Sequence, residues 1–164
     1  MIEKYYTTPA GYRRFLEQMK AVASRYDAVV ASNEDAADSG DNSVWHDNFA
    51  YEENQRLMHQ WAQRFHALGK VKSNLVVINI DPDPEKVKIG CEVIVYDLSD
   101  DSEKNYIIAG YEDGDPEQSR ISYTSPIARA ILGAEEGDLR KLQIGDKIRK
   151  LEILEIKTLK ENYE

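Results

Sequence analysis

For roughly the first seventy residues the apolar side chains recur every three or four positions. After one short proline-rich segment they recur every second position instead. Phe15, Met19, Val22, Tyr26, Val29, Asn33 and Ala36 alternate spacings of four and three, which lays them along one narrow stripe of a helix, the seam of a coiled coil. Thr8-Pro9 opens that helix, because Thr caps and Pro fits the first helical position. A second stripe runs from about Asp47 to Leu75 through Tyr51, Asn54, Met58, Trp61, Phe65 and Leu68, ending at Val71 or Lys72. Ser39-Gly40-Asp41-Asn42-Ser43 separates the two as a turn. Two arms of this kind form an antiparallel hairpin roughly 45 Å long at ~1.5 Å per residue. With the turn centred near residue 44, Asn33 faces Asn54, one polar residue in each seam at matching depth; either the pairing fixes register or both residues are simply tolerated near the tip.

Asn79-Ile80-Asp81-Pro82-Asp83-Pro84 breaks the helical pattern, since alternating prolines cannot continue a helix. Beyond it Val87, Ile89, Cys91, Val93 and Val95 alternate with polar residues, and short strand-like runs follow at Tyr106 to Ile108, Ile121 to Tyr123 and Ile148 to Ile156. Turn signals lie at Gly110, Gly114 and Gly145-Asp146. One short helix interrupts them, begun by Ser125-Pro126 and ended by Gly133. The expected class is α+β: a helical coiled-coil hairpin over residues 1–78 and an antiparallel β-sheet domain with one short helix over 79–164.

Charge narrows the function classes. A net charge of −9 argues against a general nucleic-acid binder, which would need a basic face. Between Arg25 and Arg56 there is no Lys or Arg but eight carboxylates, so the hairpin carries an acidic tip near 40–48. The lone Cys91 sits in an apolar strand-like run and reads as a buried, inert thiol. No apolar stretch reaches membrane-spanning length, and the start lacks a basic-then-apolar signal, so the expectation is a cytoplasmic protein.

Three ordered segments then point to a family. Thr8-Pro9-Ala10-Gly11-Tyr12-Arg13-Arg14-Phe15-Leu16 is similar to the opening of the bacterial Gre transcript-cleavage factors. Gly40-Asp41 and Asp47-Asn48-Phe49-Ala50-Tyr51 resemble that family's tip, Gly-Asp-x-x-Glu-Asn-Ala-Glu-Tyr. Tyr123-Thr124-Ser125-Pro126-Ile127-Ala128-Arg129-Ala130-Ile131-Leu132-Gly133 resembles its Ser-Pro-Ile-Ala-Arg-x-Leu-x-Gly signature.

The resemblance implies an N-terminal coiled coil and a C-terminal domain related to FK506-binding prolyl isomerases (FKBP-like) but without isomerase activity. It implies a bacterial transcription elongation factor that is not itself an enzyme. Such a factor enters the secondary channel of RNA polymerase and stimulates the polymerase's own cleavage of backtracked nascent RNA. On that reading Asp41 and Asp47 are the residues donated to the polymerase active centre, where they help hold a second Mg²⁺ shared only in the complex. No cofactor is bound by the chain alone. Arg56 and Arg64 contact the RNA 3′ end, and Ser125, Pro126, Ile127, Ala128 and Arg129 dock on the polymerase. Trp45 either stacks on a nucleotide or packs across the turn, and His46 either positions water or is solvated. Because its seam is satisfied within one chain, the protein is expected to be a monomer alone.

The chain departs from the family pattern at the tip. Five residues, Asn42 to His46, separate its two acids where the family has two, and the second acid is Asp in place of Glu. The alternative expectation is therefore a cleavage-deficient homologue that occupies the secondary channel as a regulator or inhibitor of transcription.

Overall fold

The computed structural model describes residues 3–38 and 47–160, with the side chains of 34–38, 47, 48 and 50 outside that description. The elements, in chain order, are β1 (Tyr5–Thr7), α1 (Pro9–Asp38), α2 (Asp47–Ser73), β2 (Leu75–Val77), β3 (Cys91–Asp97), β4 (Ser102–Ala109), β5 (Arg120–Ser122), α3 (Pro126–Ile131), β6 (Leu139–Ile144) and β7 (Lys147–Thr158). They form two compact units, Met1–Arg14 with Leu75–Glu164, and Phe15–Asn74. The helical hairpin and the β-rich unit with its short helix are those the two hydrophobic periods imply.

The units do not divide at 78/79. Residues 1–14 and 75–78 pack with the β-rich unit because β1 and β2 pair in parallel, Tyr5 with Leu75, Tyr6 with Val76 and Thr7 with Val77. Strands of three residues carry too little alternation to be read in advance.

In the helical unit, the α1 stripe lies inward as its spacing demands. Phe15 and Val22 are buried, and Met19, Tyr26, Val29 and Asn33 are half-buried. On α2 the inward line passes through Asn54, Leu57, Met58, Trp61, Arg64, Leu68 and Val71, while Tyr51 and Phe65 turn outward. Phe65 lines an open cavity of ≈ 320 Å³ with Ala23, Tyr26, Asp27 and Ala62; the two alanines are too small to fill the space beneath it. Asn33 Nδ2 donates to Met58 Sδ at 3.7 Å, so Asn33 meets a residue one helical turn beyond the expected Asn54. Its Oδ1 is buried and has no hydrogen-bond partner among the described residues. Arg25 lies over the Trp61 ring, 5.0 Å from its centroid.

The β-rich unit holds a five-stranded sheet in the order β5-β4-β3-β7-β6. Burial along β3 alternates strictly: Cys91, Val93, Val95 and Asp97 point in, and the residues between them are half-buried. The expectation of a wholly antiparallel sheet is corrected at one edge, where β5 runs parallel to β4, with Ile108 opposite Ile121. The chain between Ala109 and Arg120 folds back beside β4 through a single 3-10 turn at Pro116–Gln118, so β5 restarts in the same direction. A register shift between Ile94 and Val95 marks a bulge against β7, where Leu154 is left unpaired.

The concave face of this sheet packs Val93, Val95, Ile108, Leu142, Leu151 and Ile153 against Ala128 and Ile131 of α3, with Cys91 in the same core. Helix α3 starts where Ser125 Oγ accepts from Ala128 N at 3.2 Å and Pro126 takes the first helical position. Gly133, just past its end, has φ 76°, a conformation that suits glycine.

Asp97 is the one carboxylate at the end of β3 that faces the core, and it is 2% exposed. Arg149 Nη2 lies 2.6 Å from its Oδ2, Lys104 Nζ 3.6 Å away, and Ser99 N donates to its Oδ1 at 2.9 Å. Burial alone pushes this carboxyl up. The Arg149 hydrogen bond, the Ser99 N–H and the charges of Arg149 and Lys104 together outweigh burial and hold it below its ordinary value. A carboxyl depressed in the folded state contributes stability above its unfolded pKa of about 3.9, and that contribution disappears as pH falls through the lower folded value. Urea unfolding should therefore show Asp97→Asn less stable than wild type at neutral pH, with the gap closing as pH drops below about 4. A gap that stays constant down to pH ~2 would contradict this account of Asp97.

Candidate functional site

The expected site has two parts, the hairpin tip and the surface around α3. Helix α1 ends at Asp38 and α2 begins at Asp47. Asp41, with Trp45 and His46, lies outside the described residues. Asp47 is placed by its backbone as the first residue of α2, and its side chain is outside the description. The structure thus does not bring the two tip acids together or keep them apart. Among the described residues no group of three or more His, Cys, Asp or Glu side chains could hold a metal ion.

Lower on α2, the two expected RNA-contact residues differ in their surroundings. Arg56 forks onto Glu53 of its own helix, with Nη2 2.5 Å from Oε1 and Nε 2.9 Å from Oε2. The hydrogen bond from Arg56 holds the Glu53 carboxyl below its ordinary value, and Glu53 in turn raises Arg56. Any anion approaching Arg56 must compete with that neighbour. Arg64 is half-buried on the inward line of α2.

The expected docking residues sort by what each already does in the fold. Ser125 is spent on capping α3, and Ala128 is fully buried in the core. Ile127 is half-buried against the same core. Pro126 and Arg129 are the two of the five that are exposed. The preceding turn is held by Ser122 Oγ and Thr124 Oγ1, 2.9 Å apart, and by Ser125 N donating to Ser122 O at 2.9 Å. The capping and burial therefore present Pro126 and Arg129 on a rigid corner.

Beside this corner lies a joint that was not legible in the sequence. Asp113, buried in the loop after β4, receives both ends of the Arg14 guanidinium, Nε to Oδ1 and Nη2 to Oδ2, each at 2.6 Å. Arg120 Nε donates to the Asp113 carbonyl at 3.0 Å. Thr8 Oγ1 accepts from Gly11 N at 3.0 Å, capping α1 as expected. A Cβ at Gly11 would lie 2.9 Å from Asp113 Oδ2, and one at Gly110 would lie 2.6 Å from Thr7 Cα, so both glycines are required by close approach. Two tyrosine pairs flank the joint: Tyr5 with Tyr111 at 4.3 Å and Tyr6 with Tyr123 at 6.3 Å between ring centroids. Burial pushes the Tyr123 phenol up, and a backbone hydrogen bond at Tyr6 pulls it partly back. The Thr8-to-Gly11 segment singled out from the sequence thus packs, with the start of α1 up to Arg14, inside the unit that contains the sheet.

Comparison with known proteins settles the family. Residues 81–158 match the family model described as Transcription elongation factor, GreA/GreB, C-term. The transcription elongation factor GreA of Acetivibrio thermocellus is 33% identical over 143 residues, covering 87% of this chain and 87% of that one. The chain belongs to the GreA/GreB family of transcription elongation factors. The GreA of Nitratidesulfovibrio vulgaris is 30% identical over 78% of this chain and 79% of its own. The solved structure of the transcription factor Gfh1 aligns with 95% of this chain and 99% of its own, at 20% identity and a TM-score of 0.44. Among the described residues of this Gre-family chain no helix is long and apolar enough to cross a membrane.

Arg14 and Asp113 form a two-pronged, charge-assisted pair with one partner buried, the geometry in which coupling is strongest. A double-mutant cycle with Arg14→Ala and Asp113→Ala should return a coupling of about 1–3 kcal/mol by denaturant unfolding. Additive single effects would show that the pair is only adjacent.

Proposed function

We propose that this chain binds bacterial RNA polymerase, enters its secondary channel with the helical hairpin, and stimulates the polymerase's own cleavage of backtracked RNA. The observation that carries the reading is its relation to GreA factors across both parts of the chain, 87% of each sequence for the Acetivibrio thermocellus protein. The arms of the hairpin are 30 and 27 residues, and at ~1.5 Å per residue they span roughly 40–45 Å, a reach suited to delivering side chains deep into a partner. Pro126 and Arg129 belong to the docking surface, and the factor acts as a monomer, one per polymerase.

The tip supplies oxygen donors and no soft ligands among Asp41 and Asp47, a donor set that fits a hard, nearly octahedral cation such as Mg²⁺. When bound in the polymerase centre, that ion supplies an activated water and charge stabilisation for an in-line displacement. In this chain Asp41 and Asp47 would hold it. Arg56 and Arg64 add positive charge along the same arm and favour the phosphates of the RNA 3′ end. The chain carries out no chemistry by itself; it contributes ligands and position to the polymerase.

The five residues between Asp41 and Asp47 favour a second reading, occupation of the channel without cleavage. A ligand misplaced by ~1 Å can cost on the order of 10²-fold in rate. Gel analysis of a stalled, backtracked elongation complex separates the two. On the cleavage reading, Asp41→Asn and Asp47→Asn each lower the cleavage rate on the order of 10²-fold, leave polymerase binding near wild type, and are partly rescued by raised Mg²⁺. Deleting three residues from Asn42 to His46 should then increase cleavage. Wild-type protein that slows transcription yet yields no cleavage product establishes the occluding reading. Efficient cleavage by both Asn variants would overturn the ligand assignment.

A further inference from the structure

The hairpin of β6 and β7 carries a charge opposite to that of the chain as a whole. Residues 139–150 hold five Lys/Arg against the single carboxylate of Asp146, in a protein of net charge −9. The pleat sorts these cations onto two faces. Leu142 is buried and stands opposite Arg149, so that face is the inner one. There Arg149 is held by Asp97 and Asp100, and Arg140, opposite the buried Leu151, is held by Asp138 at 3.0 Å. The other face carries Leu139, Lys141 and Gln143 on β6 and Ile148, Lys150 and Glu152 on β7, with the one carboxylate, Glu152, opposite Leu139 and one pair away from the two lysines.

Two features of this outer face find no partner among the described residues. Leu139 and Ile148 are 64% and 63% exposed, among the most exposed large aliphatic side chains of the described residues. Lys141 and Lys150 stand directly opposite each other across the two strands, a like-charge pairing that destabilises a sheet. Neither lysine has an ion-pair partner among the described residues. A lysine on an edge strand guards against edge-to-edge aggregation, and β6 is at the edge. That purpose accounts for Lys141 alone. Lys150 lies on β7, which is paired on both sides with β3 and β6.

We propose that the outer face of the β6–β7 hairpin docks a protein segment that presents carboxylates between aliphatic side chains. A carboxylate seated between Lys141 and Lys150 relieves their repulsion, and Leu139 and Ile148 on either side gain apolar cover. Phosphates of a nucleic acid would satisfy the lysines but leave both aliphatic side chains in water. The hairpin face itself also carries no arginine fork, and the ring on the same side of the neighbouring strand, Tyr96 opposite Glu152, is half-buried and tied by its hydroxyl to Asp101. The inference rests on the polymerase reading above in taking that segment to lie on RNA polymerase. It adds a contact distinct from Pro126 and Arg129.

The test uses the full chain, labelled away from the hairpin, and its binding to a polymerase elongation complex at several salt concentrations. Lys141→Glu replaces a like-charge pair with an opposite-charge one, so its Tm should equal or exceed wild type while its affinity falls on the order of tenfold, mostly through association rate and with a flatter salt dependence. Leu139→Ser should leave Tm nearly unchanged and weaken binding at every salt concentration. Wild-type affinity in both variants overturns this docking face and leaves the proposed function standing. Failure of the wild type itself to bind polymerase overturns both. Binding of free RNA or duplex DNA by the wild type, lost in Lys141→Glu, overturns the protein-segment assignment in favour of phosphate.

Discussion

Everything in this fold hangs on a parallel pairing of three residues with three, Tyr5–Thr7 beside Leu75–Val77. Parallel neighbours cannot be joined by a tight turn; the chain must leave and return to the same end. Here the excursion is the whole helical hairpin. An outgoing helix of 30 residues and a returning one of 27 make up that excursion. The pairing is short and half of it is exposed, so strand hydrogen bonds alone would secure it poorly. The joint beside it supplies the rest. Thr7 backbone is approached closely by Gly110, Thr8 caps α1, and Arg14 in the second turn of α1 grips Asp113. Four requirements within five residues, a buried Thr7, a capping Thr8, Pro9 at the first helical position and Gly11 at the third, explain why this opening segment is so recognisable.

Two buried carboxylates mark places where the β-rich unit accepts a desolvation cost. Asp97 closes the end of β3, taking the Ser99 N–H of the following turn and cations from β4 and β7. Asp113 takes an arginine from α1 and the neighbouring Arg120 beside β5. A well-packed apolar residue could hold either site at less electrostatic cost. Each acid instead addresses groups from elements distant in sequence, which apolar contact cannot do with equal direction. The ion pairs thereby select one arrangement of the turns over others of similar packing.

The elements legible in the sequence are those whose signal is local and repeated. The 4-3 stripe gave both long helices, alternation gave β3 and β7, and Thr8-Pro9 and Ser125-Pro126 gave two helix starts to the residue. The partnerships were not legible. A three-residue strand shows one and a half alternations, too few to distinguish from a loop, which is why β1 and β2 escaped and the expected division fell at 78/79. The direction of β5 depends on a ten-residue path between Ala109 and Arg120 whose turns do not state where they lead. Phe65 and Asn33 follow the seam spacing yet depart from the expected contacts, because small side chains at Ala23 and Ala62 and a register one turn away from Asn54 decide what each meets. Arg14 and Asp113 are 99 residues apart, and nothing local announces such a pair. Of the residues of the expected α3 site, Ser125 serves the cap and Ala128 the core, while Pro126 and Arg129 are exposed.

This division of labour bears on how a Gre-family chain can change its activity while keeping its fold. The described core cluster lies within residues 87–156, and along the arms of the hairpin Asn33 meets Met58 and Arg25 lies over Trp61. Lengthening a connection costs little, about 0.6 kcal/mol for each doubling of its length. Replacing Glu by Asp at its end removes one methylene and no charge. A tip with five residues between its acids is therefore almost free for the fold. A metal ligand is far less tolerant, because its contribution falls steeply over a single ångström. If Asp41 and Asp47 act as proposed, stability and activity would respond to the same insertion on different scales: a fraction of a kilocalorie for the one, orders of magnitude for the other.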